Sequence, residues 1–356
     1  MENFIFNIKK LIKKNIQNKK IKTAVNLVLI LTSFGILFYF CLQNNNLTNL
    51  YYILPSLNQI YLQLAFLCII LSWIFDSLII KELANEICQR NYKNILFFKI
   101  TMIGQYFTTV TPLGIAAQPM QIVEFGKYGI SKNHSISLLL RKFYIYQLSL
   151  LIYSVVSASL YYWRIKNCHA DYLCLLILFG ILFQGTIIFL IILFSINKNL
   201  GLYMSKLTVT VLHKIKIIKD KDKILDDWTQ KLDYFITNNK KFSKNKKLNL
   251  KLFIFTFLQL TFSFLITFFI FKTFNHSSFP IVSMTYTQNV TATVTSFTPL
   301  PGSAGTAENM FLVLFRPFFC ENEIAQAMII YRFISFYFVL IPGIIFYKIK
   351  IKNFQK

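Results

Sequence analysis

Thr298-Pro-Leu-Pro-Gly-Ser-Ala-Gly-Thr-Ala-Glu308 is the stretch on which the reading of this chain turns. Pro removes a helical N–H and clashes with the preceding turn, and Gly relaxes the backbone, so no helix runs through it. An earlier stretch echoes it: Thr111-Pro-Leu-Gly-Ile-Ala-Ala-Gln-Pro119. Both breaks sit inside strongly apolar sequence, and each is followed by an acid, Glu124 or Glu308. Each is then followed by a helix carrying an arginine well inside it, Arg141 or Arg332.

The apolar surroundings set the class. Of 356 residues, 55% are hydrophobic and the mean hydropathy is +0.52, above the roughly 45–50% apolar content of soluble domains. Runs of about 20 uncharged residues are each long enough to cross the hydrocarbon core of a bilayer. The chain therefore reads as an all-α polytopic integral membrane protein. Spans are expected near 23–42, 57–80, 135–162, 172–196, 250–274 and 324–347, six in all, together with two re-entrant broken-helix hairpins.

The net charge of +24 is distributed between apolar runs, as the positive-inside rule and anionic headgroups require, and no nucleic-acid module accompanies it. Lysines before residue 23 and after residue 347 place both termini in the cytoplasm. Counted from there, the first hairpin enters from the cytoplasmic side and the second from the outer side. The halves, 1–196 and 251–356, are then inverted pseudo-repeats joined by a basic cytoplasmic linker, 197–250. Inverted repeats broken at matching positions point to a binding site near the membrane midplane.

Buried charge in a bilayer is expensive and marks function. The candidate substrate-binding residues are Glu308, Arg332, Arg141, Glu124 and Gln118, with Lys142 as a helper. Two bases facing a cavity between broken helices suit a lipid phosphate, and the free N–H groups of a broken helix add to that field. A structural Arg–Glu pair between helices is the alternative. Asp76, near the inner end of its span, reads as an interfacial acid or a pocket group, with the interfacial reading favoured. The hydroxyl-rich arm Ser283–Thr298 either lines a polar path or bonds its own helix carbonyls. Six cysteines, 41, 68, 88, 168, 174 and 320, are scattered without C-x-x-C spacing, and the four histidines are isolated. No metal, cofactor or catalytic residue is expected from these patterns.

At the two breaks the sequence resembles a known family, the transmembrane region of lysylphosphatidylglycerol synthase, also called the flippase-like domain family. Gly104 through Pro119, with Lys127-Tyr-Gly-Ile-Ser131 and Arg141, is similar to its first signature. Thr298 through Glu308 is similar to its second, P-x-P-G-G-x-G-x-x-E. Pro112, Gly114, Pro119, Pro299, Pro301, Gly302, Gly305 and Glu308 are the helix-break and signature positions. Ser303 stands where a second Gly is usual, and Ala116-Ala117 replace a Gly pair. The resemblance implies a bacterial plasma membrane protein that moves aminoacylated phosphatidylglycerol to the outer leaflet and so reduces binding of cationic antimicrobial peptides. In full-length members, the multiple peptide resistance factors, a cytosolic domain makes that lipid from lysyl-tRNA. The polar segment 197–251 is too short for such a fold, so lysyl transfer by this chain alone is not expected. The implied partners are membrane phospholipids, anionic or aminoacylated, and a separately encoded aminoacyltransferase. A homo-oligomer is left open, as are two other roles: membrane component of lysyl transfer, and accessory to a polyprenyl-linked glycan precursor.

Overall fold

The computed structural model describes residues 51–88, 92–165, 171–196, 245–276, 279–349 and 351, with isolated positions elsewhere. The expected span at 23–42 and nearly all of the basic linker lie outside them. Among the described residues the order is α1 (Gln59–Cys88), α2 (Asn94–Val110), α3 (Ala117–Lys127), α4 (Lys132–Ile165) and α5 (Asp171–Ile196). There follow α6 (Lys246–Thr273), α7 (Ile281–Thr295), α8 (Thr306–Leu314), α9 (Ile324–Arg332) and α10 (Leu340–Lys348). A π-helical turn, Phe333–Tyr337, joins the last two. Helices α1, α4, α5, α6 and the α9–α10 composite are long and apolar enough to cross a membrane. They correspond to five of the six spans read from the sequence.

The two breaks fall where proline and glycine place them. A 3-10 turn at Pro112–Gly114 separates α2 from α3, and another at Pro301–Ser303 separates α7 from α8. At about 1.5 Å per residue, the 11 residues of α3 and the 9 of α8 reach only about 17 and 14 Å, so neither arm crosses the bilayer. Both pairs are hairpins, and their tips pack against each other inside the bundle.

Contacts at the helix ends fix the sense of each hairpin. Helix α1 lies antiparallel to α6: the Asn58 N–H donates to the Thr273 carbonyl at one end, 2.9 Å, and Lys251 pairs with Glu82 at the other, 2.9 Å. The end marked by Lys251 also holds the open side of the first hairpin. There Lys99 Nζ donates to the Ile349 carbonyl, 2.6 Å, and the Ile351 N–H donates to Tyr128 Oη, 3.2 Å. The opposite end holds the open side of the second hairpin, where His276 meets Glu323 at 2.7 Å. The hairpins thus enter from opposite ends.

Between helices in lipid the driving force is close packing rather than water exclusion. Around the first hairpin Ile79, Leu83, Leu96, Phe97, Phe125 and Leu252 form one buried cluster. A larger, aromatic one surrounds the second, with Phe271, Phe311 and Phe315 fully buried. Gly180 and Gly343 let α5 and α10 approach Thr293 and Tyr106 more closely than a Cβ would allow.

The hydroxyl-rich arm resolves in favour of its own backbone. Thr285, Thr287, Thr291, Thr293 and Thr295 each donate to the carbonyl four residues earlier, at 2.7–2.9 Å. Thr108 and Thr111 of α2 do the same, at 2.9 and 2.6 Å. These bonds shed the donors' polarity within one helix, which lets so polar a segment sit buried.

The departure at Ser303 is accommodated. Its φ is 53°, the left-handed region that favours glycine, and its hydroxyl donates to the Thr295 carbonyl at 3.0 Å. Gly302 has no such latitude: φ is 57° and a Cβ there would fall on the Phe336 ring. Gly302→Ala is expected to lower the melting temperature in detergent sharply, since strain and overpacking each cost about 1–3 kcal/mol. Adding Phe336→Ala to that variant should restore part of the loss, because it removes the obstacle.

Candidate functional site

Helix α2 stops at Thr111, and α3 starts its first turn at Ala117. Between them opens a cavity of about 500 Å³, within the roughly 300–1,000 Å³ of small-molecule sites. Its polar lining is Asp76 of α1, Gln105 and Thr108 of α2, Gln118 and Gln121 of α3, Lys142 and Tyr146 of α4, and Gln259 of α6. The apolar part includes Leu113, Ile115, Leu139 and Phe143.

Asp76 and Lys142 are the charged residues of this lining. Lys142 Nζ stands 2.7 Å from both carboxylate oxygens. Gln259 Nε2 donates to Asp76 Oδ1 at 3.0 Å. Asp76 is 2% exposed, so the ammonium and the amide together offset the desolvation of its charge. The other amide atom, Gln259 Oε1, is buried without a hydrogen-bond partner. Asp76 is therefore a pocket group and not the interfacial acid expected from its place in the span. The start of α3 also borders the cavity through Ala117 and Gln118, and the first-turn N–H groups of a helix have no partner within it. The site thus offers one anion, one cation, a spare acceptor and a partially positive helix end.

The other expected residues lie elsewhere. Glu124 is buried on α3 against Lys99 of α2 at 2.5 Å and Lys127 at 2.7 Å, and Lys99 also donates to Tyr128 Oη at 3.0 Å. Arg141 Nη2 donates to Asn249 Oδ1 at 2.8 Å, and its guanidinium lies over the Tyr144 ring. Arg141 is not among the cavity residues, whereas Lys142 is. Leu139, Lys142, Phe143 and Tyr146 mark the face of α4 that lines the cavity, and Arg141 lies off that face, against Asn249 and Tyr144.

Glu308 and Arg332 form a second centre. Glu308 Oε1 stands 2.7 Å from Arg332 Nε, both side chains being buried. Its other oxygen accepts the Gly305 N–H at 2.6 Å, capping α8. Gly305, with φ of 83°, supplies the turn that this cap requires. The Arg332 guanidinium stacks over Phe336 at 4.7 Å, the ring that also covers Gly302. Among the break residues Pro112 and Pro301 open the 3-10 turns, while Pro119 and Pro299 are exposed. Gln288 Nε2 donates to Tyr331 Oη at 2.6 Å. Gln288 Oε1, both amide atoms of Asn289 and Arg332 Nη2 are buried without hydrogen-bond partners.

The sequence reading passed over Lys99 and favoured the membrane interface for Asp76. Lys99 had one signal, a lone lysine far from the break in an apolar arm. Asp76 had none, because its partners come from α4 and α6.

One protein family, described as "Lysylphosphatidylglycerol synthase TM region", matches residues 24–343. No curated protein matches the chain.

The Glu308–Arg332 pair makes a clear energetic prediction. Arg332→Met strands a buried carboxylate and should destabilise the protein by about 3–5 kcal/mol. The double variant Glu308→Gln/Arg332→Met should recover most of that loss. Thermal melts of the single and double variants in detergent check it.

Proposed function

We propose that this chain, which belongs to the lysylphosphatidylglycerol synthase TM-region family, translocates a phospholipid with an aminoacylated headgroup. A multi-pass membrane role related to lysylphosphatidylglycerol synthesis or flipping follows from the family and the apolar helices. The observation that carries the finer reading is the cavity at the first break, with a carboxylate and an ammonium inside it.

Lysylphosphatidylglycerol has cationic amines at one end of its headgroup and a phosphodiester at the other. In the cavity Asp76, with the spare acceptor of Gln259, faces the amines. Lys142 and the start of α3 face the phosphate. Asp76 and Lys142 satisfy each other's charge, and a bound headgroup replaces each partner by one of like sign. Plain phosphatidylglycerol supplies only the anion and leaves Asp76 unpaired, so the site discriminates against it. The hairpins enter from opposite ends and meet at their tips, which gives the headgroup a polar station partway through the bundle. The expected cytoplasmic placement of both termini and the bacterial plasma membrane belong to this reading, as does protection against cationic antimicrobial peptides.

The test is a leaflet assay in proteoliposomes with labelled lysylphosphatidylglycerol and phosphatidylglycerol side by side. The lysyl lipid should cross at least about tenfold faster, since losing one charge partner in a buried site costs about 2–5 kcal/mol. Asp76→Asn should abolish that preference. Lys142→Met should slow both lipids, with folding checked by melting. Glu308→Gln and Arg332→Ala test the second centre in the same assay. Movement of neither lipid by the wild-type protein would overturn translocation and favour a role beside a separate lysyltransferase.

A further inference from the structure

At the end of the bundle where the second hairpin opens, His276, Cys320 and Glu323 come together outside the cavity. Each offers one ligand atom, and all three atoms lie within 4.8 Å of one another. We propose that they form a binding site for a borderline-soft divalent transition ion, zinc foremost.

The backbone builds this cluster from two loops. Helix α6 ends at Thr273, and Asn275 takes a left-handed conformation, φ 61°, which turns the chain back. His276 then stacks on Phe271, centroids 5.0 Å apart, with Phe319 edge-on at 6.5 Å. These contacts fix the imidazole plane. On the facing loop the N–H groups of Glu323 and Ile324 both donate to the Cys320 carbonyl, at 3.0 and 3.1 Å. That turn brings the Cys320 and Glu323 side chains together. Glu323 Oε2 lies 2.7 Å from His276 Nε2.

The donor set matches the ion. An imidazole nitrogen, a thiolate and a carboxylate are zinc ligands with bonds of about 2.0–2.3 Å, and three protein ligands leave a fourth position for water. Tetrahedral ligand atoms at those bond lengths stand about 3.3–3.8 Å apart, so small side-chain rotations close the site. Thiolate plus carboxylate carry two negative charges, which a divalent ion neutralises. Cys320 is exposed, so an ion reaches it from solvent. No spacing pattern marks the site, since His276 and the Cys320-x-x-Glu323 pair come from loops on either side of the second hairpin. Occupied, the site staples the end of α6 to the loop before α9, across the hairpin mouth.

The experiment is a titration of the full chain in detergent, after chelator treatment, with cobalt(II) alone and then zinc(II). One cobalt per chain with a thiolate-to-metal charge-transfer band, bleached by zinc, is expected. Cys320→Ser should lose the band while keeping the metal-free melting temperature. His276→Ala and Glu323→Gln should each weaken binding at least tenfold, and Glu321→Gln, an adjacent carboxylate paired with Arg316, should leave it unchanged. Absence of the band in wild-type protein, or its survival in Cys320→Ser, would overturn the assignment. Equal loss from Glu321→Gln and Glu323→Gln would do so too, because it would mean diffuse attraction to an acidic loop.

Discussion

A backbone amide in hydrocarbon has no water to turn to, and every other feature of this bundle answers to that constraint. Two helices stop inside the apolar layer, α2 ahead of Pro112 and α7 at Thr295 ahead of the turn that Pro301 opens, which exposes carbonyls and N–H groups at depth. The fold pairs the two turns tip to tip, so each covers part of the other. Glu308 takes up a free N–H at the start of α8, and Ser303 reaches back to the end of α7. At the first break Thr111 does both jobs: it donates to Phe107 and accepts from the Ala116 N–H. What remains uncovered borders a cavity, the other setting in which such backbone is tolerated.

The charges follow the same economy. Asp76, Glu124 and Glu308 are each buried against a cation from a different helix. Replacing Lys142 or Arg332 alone strands a carboxylate, whereas replacing both members of the pair does not; Glu124 keeps Lys127 as a second partner when Lys99 is replaced. Two of these pairs look structural in their surroundings: Lys99 with Glu124 ties the arms of the first hairpin together, and Glu308 with Arg332 ties α8 to α9. Asp76 with Lys142 differs because it borders open volume and retains a spare acceptor nearby.

The architecture was legible in the sequence because its signals are local. Twenty apolar residues make a span wherever they occur, and Pro-Leu-Pro-Gly stops a helix in any surroundings. Charge partners are different. Choosing Arg141 over Lys142 means choosing a helix face, and two long apolar helices with little amphipathic bias give no phase to choose by. Asp76 looked interfacial because its distance along α1 says nothing about what α4 and α6 bring beside it. The His276–Cys320–Glu323 cluster was invisible for the same reason, as its members meet only after the hairpin between them has folded.

One contact at the open end of the first hairpin bears on how such a chain can vary. Lys99 reaches the main-chain carbonyl of Ile349, and Tyr128 accepts from the main-chain N–H of Ile351. Every amino acid offers that carbonyl, and all but proline offer that N–H. The tether itself therefore survives substitution at 349 and 351, although the Ile351 side chain also packs against the cluster around the first hairpin. The length of the last span is not free to vary in the same way, because one inserted residue shifts these groups by about 1.5 Å and turns them by about 100°. Across relatives that keep a buried lysine here, indels should be rarer between the second break and the tail than substitutions in the tail itself.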